Sequence, residues 1–197
     1  SKLDFGDITN FSREELIDTK KTVNQIVKNA KTNAKSNKCF FCKKPTSSFC
    51  NSHSIPAFLL RNISVEGDLY HTAKLIQSPV SSHKLGINNS GTFQLICREC
   101  DSKIFKDYET TSNYSTIPYD KMLNQIAMKT YLKNIYKRSN EVELYKLLKS
   151  ETHSKPIIET KYQTSVEDLA TYIRNFNTSK RNLSSLSSNY CLLYYKI

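Results

Sequence analysis

The chain has 197 residues, 38% hydrophobic and 11% aromatic, with only four Gly and five Pro. This excludes collagen-like, low-complexity and disordered classes, and allows one domain, or a small core with helical additions, burying about two thirds of its unfolded surface. Lys and Arg total 29 against 18 Asp and Glu, a formal net charge of +11, which attracts a polyanion such as nucleic acid or an anionic surface, unless the lysines are simply solvated.

The first predicted element is a helix. Ser12-x-x-Glu15 forms a capping box, Phe11 stands at a staple position, and Leu16, Val23, Val27, Ala30 and Ala34 repeat at helical spacing. Between Thr19 and Val65 the chain carries nine basic residues and no acidic one, so a basic N-terminal helix is expected over residues 1–36. Strands and turns are expected over 37–112: SIPAFLLRNISV, the Glu66-Gly67 turn, DLYHTAKLI and GTFQLIC, followed by a helix in DSKIFKDYE. From 113 to 197 the region reads as mainly helical. Met122, Leu123, Ile126, Ala127, Tyr131, Ile135 and Tyr136 make one stripe, Asn140-x-x-Glu143 starts a second helix, and Val166, Leu169, Ala170, Ile173 and Phe176 mark a third. The closing CLLYYKI looks like a last paired strand or the edge of a fragment. The missing initiator Met reads as trimming. No apolar run approaches the roughly 18 to 20 residues that span a bilayer, and the N-terminus lacks a signal pattern, so no membrane partner is expected and the expected location is the cytoplasm.

Six cysteines are the sharpest feature. Four form two C-x-x-C pairs, Cys39/Cys42 in CFFC and Cys97/Cys100 in CREC, while Cys50 and Cys191 stand apart. In a reducing compartment such pairs read as metal knuckles, because two intervening residues let both thiolates converge on one ion, and zinc suits a tetrahedron of sulfurs. A competing local set is Cys39, Cys42, Cys50 and His53, since Cys50-Asn-Ser-His53 also has ligand spacing. If zinc ties the two C-x-x-C pairs together, His53 and Asp101 become neighbours across 48 residues of sequence. An imidazole near its ordinary pKa of about 6.5 can take a proton from water, and a carboxylate is a hard ligand for Mg²⁺ or Mn²⁺. That combination suits metal-assisted phosphodiester hydrolysis.

At these residues the chain resembles the HNH endonucleases, a ββα-metal group in which many members carry a zinc knuckle around the active site. CFFC, Ser52-His53-Ser54-Ile55-Pro56, Thr92-Phe93-Gln94-Leu95-Ile96-Cys97 and Cys97-x-x-Cys100-Asp101 follow the order of the family pattern over roughly residues 39 to 109. The resemblance implies an α+β fold: a small zinc-knuckle, treble-clef-related HNH-like core between an N-terminal helix and a helical C-terminal region. It also implies a metal-dependent endonuclease acting on nucleic acid, with DNA the expected substrate and partner. His53 would be the general base and Asp101 would replace the last metal-binding His. Cys39, Cys42, Cys97 and Cys100 would hold structural zinc, and Mg²⁺ or Mn²⁺ would lie near Asp101. Two positions depart from the pattern. Ser52 replaces an acidic ligand, and Thr92 stands where an Asn would orient the base, an amide that Asn88 or Asn89 supplies only if the register slips.

Each site residue has a plainer reading. His53 can hydrogen-bond a strand end, and Asp101 is favourable at a helix N-terminus without any metal. Glu109 is a possible second carboxylate or a solvated one. His71, His83 and His153 show no partner pattern. Glu159-Thr160-Lys161 matches the E-x-K strand of another nuclease class, but it lacks that class's upstream Asp. The competing function is a zinc-scaffolded module that binds nucleic acid or a protein without cleaving, and a toxin or phage-defence effector is a weaker variant of the nuclease reading.

Overall fold

The computed structural model describes residues 12–70, 84–151 and 155–191. The described residues are mixed and helix-dominated, with two small sheets. In chain order the elements are α1 (Arg13–Asn33), β1 (Ser52–His53), α2 (Ala57–Ile63), β2 (Asp68–Tyr70), β3 (Lys84–Gly86), β4 (Thr92–Phe93), α3 (Arg98–Ile104), α4 (Lys106–Glu109), α5 (Asp120–Glu151) and α6 (Lys155–Ser185). Two compact units result: the described residues up to Lys35 with Lys137–Ala170, and Ser36–Tyr136 with the described residues from Thr171 onward. The first half of α5, to Tyr136, belongs to the second of these units and the rest of it to the first.

In the first unit, α1 begins as its capping box requires: the Ser12 hydroxyl accepts from the Glu15 N–H, and the Glu15 carboxylate accepts from the Ser12 N–H. Lys20, Lys21, Lys28 and Lys31 are exposed on this helix, whereas Ile26 and Ala30 are buried. Val142, Leu144, Leu148 and Ile158 are buried in the same unit. Arg138 pairs with Glu141 and with Asp168, the latter at 2.6 Å.

The second unit is built around short strands. β1 pairs antiparallel with β4, Ser52 opposite Phe93 and His53 opposite Thr92. β2 pairs antiparallel with β3. The Glu66-Gly67 turn has positive φ at both residues, 54° and 80°, which accounts for glycine at the second position. Phe93, Ile96, Phe105, Met122, Met128, Leu132, Ile135 and Phe176 form its interior.

Several sequence expectations change. Most of SIPAFLLRNISV is helix α2, because Pro56 opens the segment, its fixed φ suiting a helix start, and leaves Leu60 buried. Asn140 starts no new helix and lies inside the continuous α5. Glu159-Thr160-Lys161 sits in α6, not in a strand, so the E-x-K resemblance has no structural basis. Phe11, His71, His83, His153 and most of CLLYYKI lie outside the described residues. Among the described residues no helix is long and apolar enough to cross a membrane.

Replacing Ser12 with Ala removes one half of the capping box and is expected to lower stability by about 1 kcal/mol. Equilibrium urea unfolding measures this, and an unchanged midpoint would show that the box does not hold the helix start.

Candidate functional site

The first knuckle is a tight turn. The Cys39 N–H donates to Lys44 O at 2.9 Å and the Lys43 N–H donates to Cys39 O at 2.9 Å. Lys43 adopts φ 63°, and its ammonium lies 4.2 Å from the Phe40 ring centroid. The second knuckle straddles the start of α3, with Cys97 as N-cap and Cys100 in the first turn. Hydrogen bonds from backbone N–H groups lace the two together: Phe40 N–H to Leu95 O at 2.8 Å, Cys50 N–H to Ile96 O at 2.9 Å, and Cys97 N–H to the Cys39 sulfur at 3.3 Å.

The result is a four-sulfur cluster. The Sγ atoms of Cys39, Cys42, Cys97 and Cys100 all lie within 4.8 Å of one another. Sulfurs about 2.3 Å from a tetrahedral zinc stand somewhat under 4 Å apart, so the four can hold a metal ion such as zinc. Burial pushes the Cys39 thiol up, but the N–H groups of Cys42, Cys97 and Phe41 outweigh it and bring the thiol down to about 7. Cys100 goes well above the usual thiol range, first from burial and then from the neighbouring thiols. Thiols this close resist ionising together, and a divalent cation among them removes that repulsion. Cys50 is not in this set. Its thiol donates to Asp101 Oδ2 at 3.2 Å, and burial followed by Asp101 pushes it up to about 11. The alternative grouping with Cys50 and His53 is therefore not the one the fold assembles.

His53 sits at the end of β1. Neighbouring side chains of a strand point to opposite faces, and Ser52 and His53 divide accordingly. The Ser52 hydroxyl donates to Asp101 Oδ1 at 2.5 Å. The His53 ring turns to Ile87 O, 3.0 Å from Nε2. A carbonyl can only accept, so Nε2 carries the proton and Nδ1 is the basic nitrogen of the neutral ring. Ile87 belongs to the 3₁₀ turn Ile87–Asn89, which is tied to β1 a second time by Asn51 Nδ2 donating to Asn88 O at 3.0 Å. The orienting group at Nε2 is thus a backbone carbonyl, not the amide expected of Asn89. Asn89 is exposed, and its carbonyl accepts from the Thr92 hydroxyl at 3.3 Å.

The largest addition to the expected site comes from α5. Lys129 is fully buried, and its ammonium donates to Ser52 Oγ at 2.7 Å, Asp101 Oδ1 at 2.6 Å and Glu109 Oε1 at 2.7 Å. Its Nζ also lies 4.5 Å from the Phe105 ring centroid. Burial pushes the Asp101 carboxyl up, but the Lys129 charge and the bonds from Lys129, Ser52 and Cys50 outweigh it and hold Asp101 below its usual value. Gln125 and Lys133 extend the same polar stripe at intervals of four residues. Gln125 accepts from the Tyr108 N–H at 2.7 Å and donates to Asp107 at 2.8 Å, and Lys133 donates to Thr92 O at 2.8 Å. Ile126, Ala127 and Met128 precede Lys129 in sequence, and its spacing to Gln125 and Lys133 is the signal available. Only the carboxylates, 20 and 28 residues away, mark it as something other than a solvated lysine.

A divalent ion beside Asp101 does not fit this arrangement. Such an ion needs several oxygens at about 2.0 to 2.1 Å for Mg²⁺. Here Asp101 Oδ1 takes two hydrogen bonds, Oδ2 takes one, and Glu109 Oε1 faces the same ammonium. The positive charge between the carboxylates is supplied by the chain itself.

Comparison with protein-family models, curated proteins and solved structures finds no match for this chain.

Two variants test the metal centre. Cys97→Ser is expected to lose most bound zinc, measured by elemental analysis, and to lower the melting temperature by roughly 10 °C or more. Cys50→Ser should keep one zinc per chain, since its hydroxyl can still donate to Asp101. Loss of zinc from the Cys50 variant would move the ligand set to the alternative grouping.

Proposed function

We propose that the chain is an HNH-like endonuclease that hydrolyses nucleic-acid phosphodiester bonds with His53 as the general base. The observation that carries this reading is the ring of His53, anchored through Nε2 to Ile87 O so that Nδ1 keeps its lone pair. A base needs that combination of fixed orientation and an available nitrogen. The antiparallel β1–β4 pair followed by α3, with a four-cysteine cluster at its base, supports it further.

In this reading Nδ1 removes a proton from water as the water oxygen bonds to phosphorus. The bond from phosphorus to the 3′ oxygen then breaks, that oxygen leaves as a hydroxyl by taking a proton from solvent water, and the imidazolium returns its own proton to solvent. Exposed Lys43, Lys44 and Arg98 lie on the knuckles and the start of α3, where they can bind phosphates. Contacts of that type give affinity with little sequence choice, and DNA is the first substrate to test.

A second reading is a module that kept the zinc scaffold and binds nucleic acid or a protein without cutting. The Lys129–Asp101 pair favours it, because the carboxylate that would hold an ion is already neutralised.

Purified protein incubated with supercoiled plasmid, with and without Mg²⁺, should produce nicked and linear forms. His53→Ala should reduce the rate by roughly 10² to 10⁴-fold while zinc content stays unchanged. Wild type that shifts DNA in a gel and never cuts it would establish the binding reading instead. Loss of zinc in His53→Ala would assign the ring to the metal centre.

A further inference from the structure

A fully buried lysine with all three ammonium donors used is an unusual thing to find between two carboxylates and a serine. Asp101 is anchored on α3 one residue after Cys100, Glu109 ends α4, and Ser52 lies on β1. Three separate elements converge on one cation. The Asp101 and Glu109 oxygens each lie within 2.7 Å of the same nitrogen, so a positive charge is required there to offset two negative ones. The phenyl ring of Phe105 closes a further side, presenting its electron-rich face to the ammonium.

We infer that Lys129 is the resident cation of this centre, its ammonium standing where a divalent metal would otherwise be held by Asp101, Glu109 and Ser52, so that the native protein takes up no Mg²⁺ or Mn²⁺ at these residues. The chemistry of the two cations differs in a way that matters. An ammonium makes directed hydrogen bonds at about 2.7 Å and exchanges no ligands with a substrate. A metal at the same oxygens would demand shorter bonds and keep open positions for water or phosphate. Lys129 therefore stabilises the carboxylates and the end of β1 without offering a coordination site. Removing its charge leaves Asp101 and Glu109 facing one another across the space the side chain vacated, and a divalent cation is the natural occupant of that space.

The test measures metal binding, so its result is separate from whether the protein cuts nucleic acid. The 197-residue protein carrying its zinc is titrated with Mn²⁺, and binding is read by electron paramagnetic resonance of the free ion. Wild type and Glu109→Gln, a change at a partly exposed side chain that should preserve the fold, are expected to give the same titration, with no ion held by these residues. Lys129→Ala is expected to bind one additional Mn²⁺ per chain and to melt at a higher temperature when Mn²⁺ is present. The double variant Lys129→Ala/Glu109→Gln should lose most of that binding. An Mn²⁺ taken up by wild type and lost in Glu109→Gln would overturn the inference, as would a folded Lys129→Ala protein that binds no additional ion. If Lys129→Ala does not fold, the wild-type and Glu109→Gln titrations decide the matter between them.

Discussion

The packing of four cysteine sulfurs at one point is the constraint on which the second unit depends. The two knuckles are 54 residues apart in sequence, and the strands between them are only two or three residues long. Strands so short contribute few ladder bonds, and a two-stranded sheet is marginal alone. Fixing Cys97 and Cys100 against Cys39 and Cys42 sets where α3 begins. That start in turn sets where Asp101 stands, and Asp101 takes the hydroxyl of Ser52, the thiol of Cys50 and the ammonium of Lys129. The order of dependence runs from sulfur to helix to carboxylate.

The ion cluster is a second layer on this frame. Burying Lys129 costs several kcal/mol of lost hydration, which its bonds to Asp101, Glu109 and Ser52 offset only because all three donors are matched. Such a pair is weak as a source of net stability and strong as a constraint on geometry. Here it joins α3, α4, α5 and β1 at one nitrogen. Gln125 and Lys133, one turn to either side, bind Tyr108 and the carbonyl of Thr92, so α5 meets the knuckle region through polar contacts as well as through Met122, Met128 and Leu132. His53 lies beside this cluster in sequence but is oriented by a different contact, the carbonyl of Ile87. The His53 ring and the buried cation are thereby held by separate supports.

Much of this was legible in the sequence. The capping box at Ser12 and Glu15, the turn at Glu66-Gly67 and the pairing of CFFC with CREC are local patterns with a direct physical cause, and each is present. The segment after Ser54 was not legible as a helix, because SIPAFLLRNISV is rich in β-branched and apolar residues and its start is set by Pro56. The long α5 read as two helices because Asn140 resembles a cap, yet a residue that can cap need not do so where the chain continues to pack. Lys129 was the largest omission. A helical stripe is read from its apolar members, and a lysine among them is taken for solvent-facing. Only the three-dimensional approach of Asp101 and Glu109 reveals its partners. The amide expected from Asn89 was sought in a side chain, whereas the fold uses a backbone carbonyl, which sequence does not display.

The sulfur cluster is the premise of everything built above it, and zinc X-ray absorption on the purified protein tests it most directly. A single shell of four sulfurs at about 2.3 Å, with no nitrogen contribution, is the expected result. A fitted shell containing an imidazole nitrogen at about 2.0 to 2.1 Å, or fewer than four sulfurs, would contradict the proposed ligand set and release His53 and Asp101 from the positions assigned to them.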